Sequence, residues 1–243
     1  MQVHDFTIPK QNQSASSNQD SLNYDLSRKV FAIADGVTTS PSSGLWSKII
    51  VEHFLEEPFC HHFNDEKNSD ELFQKWLESS IKVFREKTST NNTNQFIKDM
   101  INDKGASTTL IGCRIIKNKN THQLQIWAIG DSNVFLIRKN RILSSFPMKK
   151  LEDFTNFTNA LSSILELNNQ KLDYINLDIK TNDEVIIATD AFSKWFLWAS
   201  NNGQKPWKRI IKKKSKISEY IEKLRSHQKI DDDDTSFIHI KFD

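Results

Sequence analysis

The sequence predicts an α+β fold built in layers rather than a doubly wound sheet. Short apolar runs of strand length fall in clusters, and two long stretches of helical period lie between the first cluster and the next. More strand runs follow, and the chain closes on one that alternates strictly.

Taken in order, residues 11–18 (Gln-Asn-Gln-Ser-Ala-Ser-Ser-Asn) read as a polar loop between two short strands. Lys29-Val30-Phe31-Ala32-Ile33-Ala34 has the length of a buried strand and stops at Asp35-Gly36. After Pro41-Ser42-Ser43 the period turns helical, with Leu45/Ile49 and Trp46/Ile50/Phe54 four residues apart. A second helix starts near Ser69 or Asp70, either able to cap it, and carries Leu72, Phe73, Trp76, Leu77, Ile81 and Phe84 on one stripe. Strand runs follow at 107–116, 124–129 and 134–137, then a basic turn, Arg138-Lys139-Asn140-Arg141. A weak helix is expected over 155–167, a strand over 184–188 and a helix over 192–199. Beyond a basic segment come a helix with Ile217, Tyr220, Ile221 and Leu224, and a last strand setting Ile238, Ile240 and Phe242 against Phe237, His239 and Lys241.

At 243 residues the chain suits one core, and a single domain over 1–243, working as a monomer, is expected. A net charge of +2 gives no pull toward nucleic acid or an anionic membrane. No apolar run approaches the roughly 18 residues that span a bilayer, and the start lacks the pattern of a secretory signal. Two cysteines, Cys60 and Cys113, are too few for a disulfide framework. Cys113 reads as a buried free thiol, and the setting as reducing and cytoplasmic.

The most informative pattern is where the aspartates stand. Ala34-Asp35-Gly36, Gly130-Asp131-Ser132 and Thr189-Asp190-Ala191 each place one at the end of an apolar run, and Asp233-Asp234-Thr235-Ser236 places acids before another. Taken singly, each is also what an ordinary turn uses. In antiparallel sheets, however, strand ends and neighbouring strand starts share an edge, so four such positions can gather carboxylates. Carboxylates that close repel one another unless a cation neutralises them. Oxygen ligands without histidine or cysteine suit Mg²⁺ or Mn²⁺ rather than zinc.

In order, Asn18-Gln19-Asp20-Ser21, Ala34-Asp35-Gly36, Gly105-Ala106-Ser107-Thr108-Thr109, Gly130-Asp131-Ser132, Thr189-Asp190-Ala191 and Asp233-Asp234-Thr235-Ser236 resemble the motif series of the metal-dependent protein phosphatases, the type 2C serine/threonine class. The resemblance covers nearly the whole chain. It implies two antiparallel sheets packed face to face with helices outside, α-β-β-α. It further implies two Mg²⁺ or Mn²⁺ ions, with Asp35 bridging them, the Gly36 carbonyl on the second, and Asp190 and Asp233 on the first. Asp131 falls where a third, weaker ion is held, and Asp20 acts near the second, directly or through water. The implied activity is hydrolysis of phosphoserine and phosphothreonine in a phosphorylated protein, with Asp35, Asp190 and Asp233 as the catalytic acids.

Several positions depart from the family pattern. Val37-Thr38 stands for a glycine pair, Ala191 for a glycine, Gln19 for a frequent glutamate, and Ala15 for an arginine that meets the substrate phosphate. Lys10 and Arg28 are candidates to replace that arginine. These departures motivate an alternative, a catalytically weak relative serving as a regulatory or binding module; a hydrolase of small phosphate esters is a third reading. His61 and His62 beside Cys60 lack a partner pair for a metal site. His122 and His227 read as solvated, Trp195 and Trp198 as helix core, and Asp232 is the neighbouring register for Asp233. The run from Lys205 to Lys214 reads as a solvated face with Trp207, Ile210 and Ile211 turned inward, against an anionic partner as the functional reading.

Overall fold

Antiparallel pairing organises the chain from its first strand to its last. The computed structural model describes residues 1–58, 69–90, 94–118, 121–155, 159–169 and 171–243. One five-stranded sheet runs, edge to edge, β1 (Gln2–Ile8), β12 (Thr235–Lys241), β11 (Glu184–Ala188), β7 (Asn133–Arg138) and β8 (Arg141–Phe146). The other runs β10 (Asp173–Ile179), β6 (Thr121–Ile129), β5 (Leu110–Asn118), β3 (Val30–Ala34) and β2 (Ser21–Asp25). A ribbon of β4 (Ser107–Thr108) and β9 (Leu161–Ser162) adjoins them.

The central strands β3, β7 and β11 are buried on both faces because both faces are covered. Phe31, Ile33, Ile111, Ile126 and Ala128 of one sheet meet Val134, Leu136, Ile187, Ile238 and Ile240 of the other in the middle of the sandwich. On the outer face of the second sheet, Ala32, Ala34 and Trp127 pack under α1 (Ser43–Glu56), α2 (Ser69–Thr90) and α3 (Gln95–Lys104) through Trp46, Ile50, Phe54, Trp76, Phe84 and Ile101. Gly112 of β5 lies under the Phe54 ring, where an added Cβ would come within 2.3 Å of the ring carbons. On the outer face of the first sheet, Phe135, Ile186 and Phe237 pack under α4 (Asp190–Asn201), α5 (Pro206–Lys212) and α6 (Ile217–Ser226). The layers are α-β-β-α. The alternation of β12 therefore separates two buried layers, Phe237 toward the helices and Ile238 and Ile240 between the sheets.

The helix expected over 155–167 does not form in the part of that span the structure describes. Leu161–Ser162 pairs with β4 instead, and only a 3₁₀ turn follows at Leu165–Leu167. Asn168 explains the preference: its side chain accepts from the Ser162 amide at 2.8 Å and donates to the Ser162 and Ile164 carbonyls at 3.0 and 2.8 Å. Those bonds offer the backbone an alternative to a helical ladder. The strand expected over 107–116 is broken at Thr109, whose amide turns to the Asp35 carbonyl at 2.8 Å. Elements not anticipated are α3, β8 and β10. No helix among the described residues is long and apolar enough to cross a membrane.

Candidate active site

Asp35 leaves the end of β3 and is clamped through its own peptide. Its amide donates to Thr109 Oγ1 at 3.0 Å, and its carbonyl accepts from the Thr109 amide and Thr108 Oγ1, each at 2.8 Å. Thr109 Oγ1 also meets Ser132 Oγ at 2.8 Å, which ties the Asp35 turn to the Gly130-Asp131-Ser132 turn. The next residue has to be glycine, since a Cβ on Gly36 would lie 2.8 Å from the Gln19 carbonyl oxygen and 3.0 Å from the Ser43 carbonyl. That close approach brings the loop ahead of β2, and with it Asp20, against the end of β3.

From the opposite sheet come Asp190 and Asp233. Thr189, following β11, donates from Oγ1 to Asp20 Oδ2 at 3.0 Å and accepts from the Ser236 amide at 3.1 Å. It thus joins Asp20 to the ends of β11 and β12. Asp190 opens α4, its Oδ1 accepting from the Ala191 amide at 2.6 Å. Among the acids before β12, Asp234 is buried and accepts the Lys10 and Gln19 amides at 2.9 and 2.7 Å. Asp232 accepts the Gln11 amide at 2.9 Å. Asp233 is left facing the Lys10 ammonium, Nζ to Oδ1 2.9 Å, with its side chain 41% exposed.

These five carboxylates act on one another. Burial pushes the Asp35 carboxyl well above the ordinary aspartate range, and Asp20, Asp190, Asp233 and Asp131 add to the push in that order. Asp20 is driven the same way, chiefly by burial and then by Asp234 and Asp190, against the opposing pull of the Ser236 and Thr189 hydroxyls. Asp20 Oδ1 is buried with no hydrogen-bond partner among the described residues. Five acids, one of them carrying an orphaned oxygen, form a donor set that fits hard divalent cations. Among the described residues, no three His, Cys, Asp or Glu side chains stand close enough to cage an ion directly.

Two lysines lie among the acids. Lys10 donates to Thr38 Oγ1 at 2.8 Å besides pairing with Asp233. Lys194 on α4 pairs with Asp190 Oδ2 at 2.5 Å. Arg28, the other candidate for the missing arginine, is elsewhere: its guanidinium donates to the Leu55 and Glu56 carbonyls at the end of α1. A residue not singled out from sequence, Arg225 of α6, is buried behind the site. It donates to the Pro9 carbonyl at 2.8 Å, the Asp233 carbonyl at 2.6 Å and Thr235 Oγ1 at 3.0 Å. Its only sequence signal is a charge in the last turn of an amphipathic helix.

The departures from the family pattern cause no backbone strain. Ala191 is helical in α4, and none of Val37, Thr38, Thr39 or Ser40 takes a positive φ. Cys113 is a buried free thiol, with burial raising its pKa, and His122 and His227 are exposed. Trp195 is core, but Trp198 and Ile211 are not, at 36% and 44% exposure. Trp198 on α4 and Ile211 on α5 are the exposed members of helices that bury Trp195, Trp207 and Ile210. Cys60, His61 and His62 lie outside the described residues.

A family model described as protein phosphatase 2C matches residues 9–229. The chain belongs to that family. A solved bacterial serine phosphatase superposes with a TM-score of 0.64 at 13% identity, covering 100% of this chain and 98% of that one. The serine/threonine phosphatase Stp1 from Staphylococcus aureus gives 0.65 at 14%, covering 99% and 94%. The catalytic domain of the phosphatase PstP, solved in complex with two manganese ions, gives 0.60 at 15%, covering 100% and 98%. At such identities the likeness speaks for the fold. No curated protein matches the chain by sequence.

Proposed function

We propose that this chain is a single-domain, metal-dependent protein phosphatase that hydrolyses phosphoserine and phosphothreonine with water as the nucleophile. One observation carries the reading: the strand ends of both sheets bring Asp20, Asp131, Asp190 and Asp233 within electrostatic reach of Asp35, and each opposes its ionisation. Such a cluster is costly at neutral pH unless cations complete it. Asp35, the Gly36 carbonyl, Asp190 and Asp233, with Asp20 directly or through water, would hold two Mg²⁺ or Mn²⁺ ions, and a further ion at Asp131 would compete with the Lys194 ammonium. Such ions, when bound, acidify a water and screen the phosphate charge.

The protein's own part is positioning. Thr108 and Thr109 fix the Asp35 turn, Thr189 fixes Asp20 against the opposite sheet, and Arg225 fixes the Asp233 backbone. Lys10, which borders the acids through Asp233, would meet the substrate phosphate where the family pattern has an arginine and this chain has Ala15. No Cys-His or Ser-His pair is needed, because water attacks phosphorus. We expect the chain to act on phosphoproteins in the cytoplasm, a setting that the buried free thiol of Cys113 suits.

With Mn²⁺, the purified chain should hydrolyse an aryl phosphate and a phosphothreonine peptide, and Asp35→Asn or Asp190→Asn should abolish both. Turnover that survives both substitutions or excess chelator would rule the reading out. Metal binding without turnover would instead establish the regulatory module.

A further inference from the structure

We propose that Lys194 is a built-in cation of the acid cluster, holding on the Asp190 and Asp131 side the place that a further divalent ion would take. The inference rests on the metal-centre reading above. Lys194 lies one helical turn after Asp190 on α4, so its side chain reaches back over the helix start. Its Nζ stands 2.5 Å from Asp190 Oδ2 and 3.5 Å from Asp231 Oδ2, and it lies within electrostatic reach of Asp131. The Phe154 ring lies beside it, with the centroid 5.9 Å from Nζ.

A helical Asp–Lys pair four residues apart is usually a solvated contact of little weight. This one differs in three respects. The Asp190 side chain is only 15% exposed and that of Lys194 33%, so solvent screens the pair poorly. The ammonium serves a second acid at the same time. Finally, both Asp190 oxygens already have protein partners, Oδ1 the Ala191 amide and Oδ2 Lys194, whereas Asp20 Oδ1 has none. The chain thus brings its own ammonium to Asp190 Oδ2, as Lys10 does to Asp233 Oδ1, and leaves Asp20 Oδ1 open to a cation. A tethered ammonium repels any ion approaching Asp131 and Asp190 from the same side.

The test is to count Mn²⁺ bound per chain of residues 1–243, by titration calorimetry and by the electron paramagnetic resonance signal of free Mn²⁺. Wild type, Lys194→Met, Lys194→Arg and Asp35→Asn are compared, each first shown by thermal melting to be folded. Lys194→Met should take up one more ion than wild type, while the charge-keeping Lys194→Arg should keep the wild-type number. An unchanged or smaller number in Lys194→Met would overturn the inference. So would tighter binding at an unchanged number, which would put Lys194 beside an ion already bound. If wild type and Lys194→Met both take up no Mn²⁺, the metal-centre reading fails and this inference falls with it. Loss of Mn²⁺ in Asp35→Asn alone leaves that reading standing while the Lys194 comparison decides.

Discussion

Arg225 shows how much of the site depends on a residue that reaches a candidate ligand, Asp233, at its backbone carbonyl. Its guanidinium joins three backbone or hydroxyl oxygens, at Pro9, Asp233 and Thr235, and its side chain is 1% exposed. Removing it strands buried carbonyls whose desolvation is no longer compensated, at about 1–3 kcal/mol for each group. Arg225→Met should therefore destabilise the fold by about 3 kcal/mol in urea denaturation. It should also weaken Mn²⁺ binding, because the loop carrying Asp233 loses its anchor. Arg225→Lys should restore only part, since a single ammonium cannot span the three oxygens that the planar fork reaches. A loss of stability with Mn²⁺ affinity unchanged would mean that Arg225 supports the core alone.

At the scale of elements, the contact between α1 and α2 is sensitive to pH through one histidine. His53 is buried, stacked on Trp76 at 5.1 Å between ring centroids, with Nδ1 2.5 Å from Ser80 Oγ. Burial lowers its pKa below the ordinary histidine value, outweighing the attraction of Glu57 and Glu56. The unfolded chain then binds the proton more readily, so stability falls as pH drops below about 6.5. His53→Gln should flatten that fall in melts between pH 7 and pH 5; an unchanged slope would mean that the ring titrates freely. Long apolar elements such as α1, α2 and β3 were legible because burial on one or both faces writes a period into the sequence. The missed elements obey weaker rules. β10 is the exception, an edge strand with a legible alternation, Ile175, Leu177 and Ile179 against Asn176 and Asp178. β8 depends on the Lys139-Asn140 turn, which takes two positive φ values of 50° and 61° without a glycine. α3 sets Phe96/Met100 and Ile97/Ile101 four residues apart but buries only Ile101, and its ends are marked by Asn94, which caps the Phe96 amide, and Gly105 at φ 70°. The acids Asp20, Asp35, Asp131, Asp190 and Asp233 were readable as strand-end punctuation. The lysines facing them were less so, because a side chain's reach across 223 residues, as from Lys10 to Asp233, leaves no periodic trace.

For the whole molecule, the decisive feature is that the acid cluster sits where the two sheets end together. Asp20, Asp35 and Asp131 belong to the ends of β2, β3 and β6, while Asp190 and Asp233 belong to β11 and β12. Their repulsion therefore acts across the sandwich, pushing one sheet edge from the other. The raised pKa values of Asp20 and Asp35 give the sign. A carboxyl that holds its proton more tightly when folded stabilises below its unfolded pKa and loses that contribution as pH rises through the folded value. With the opposing His53 titration removed by His53→Gln, the chelated protein should thus melt lower at neutral pH than at mildly acidic pH. Mn²⁺ at about a hundred times its dissociation constant should return about 2.7 kcal/mol per bound ion by mass action, or roughly 5–10 °C for a chain of this size. Asp35→Asn should behave in the opposite sense, melting higher than wild type in chelator and responding little to Mn²⁺. A wild-type melting temperature indifferent to both chelator and Mn²⁺, measured by scanning calorimetry, would mean that the sheet edges need no cation to stay together.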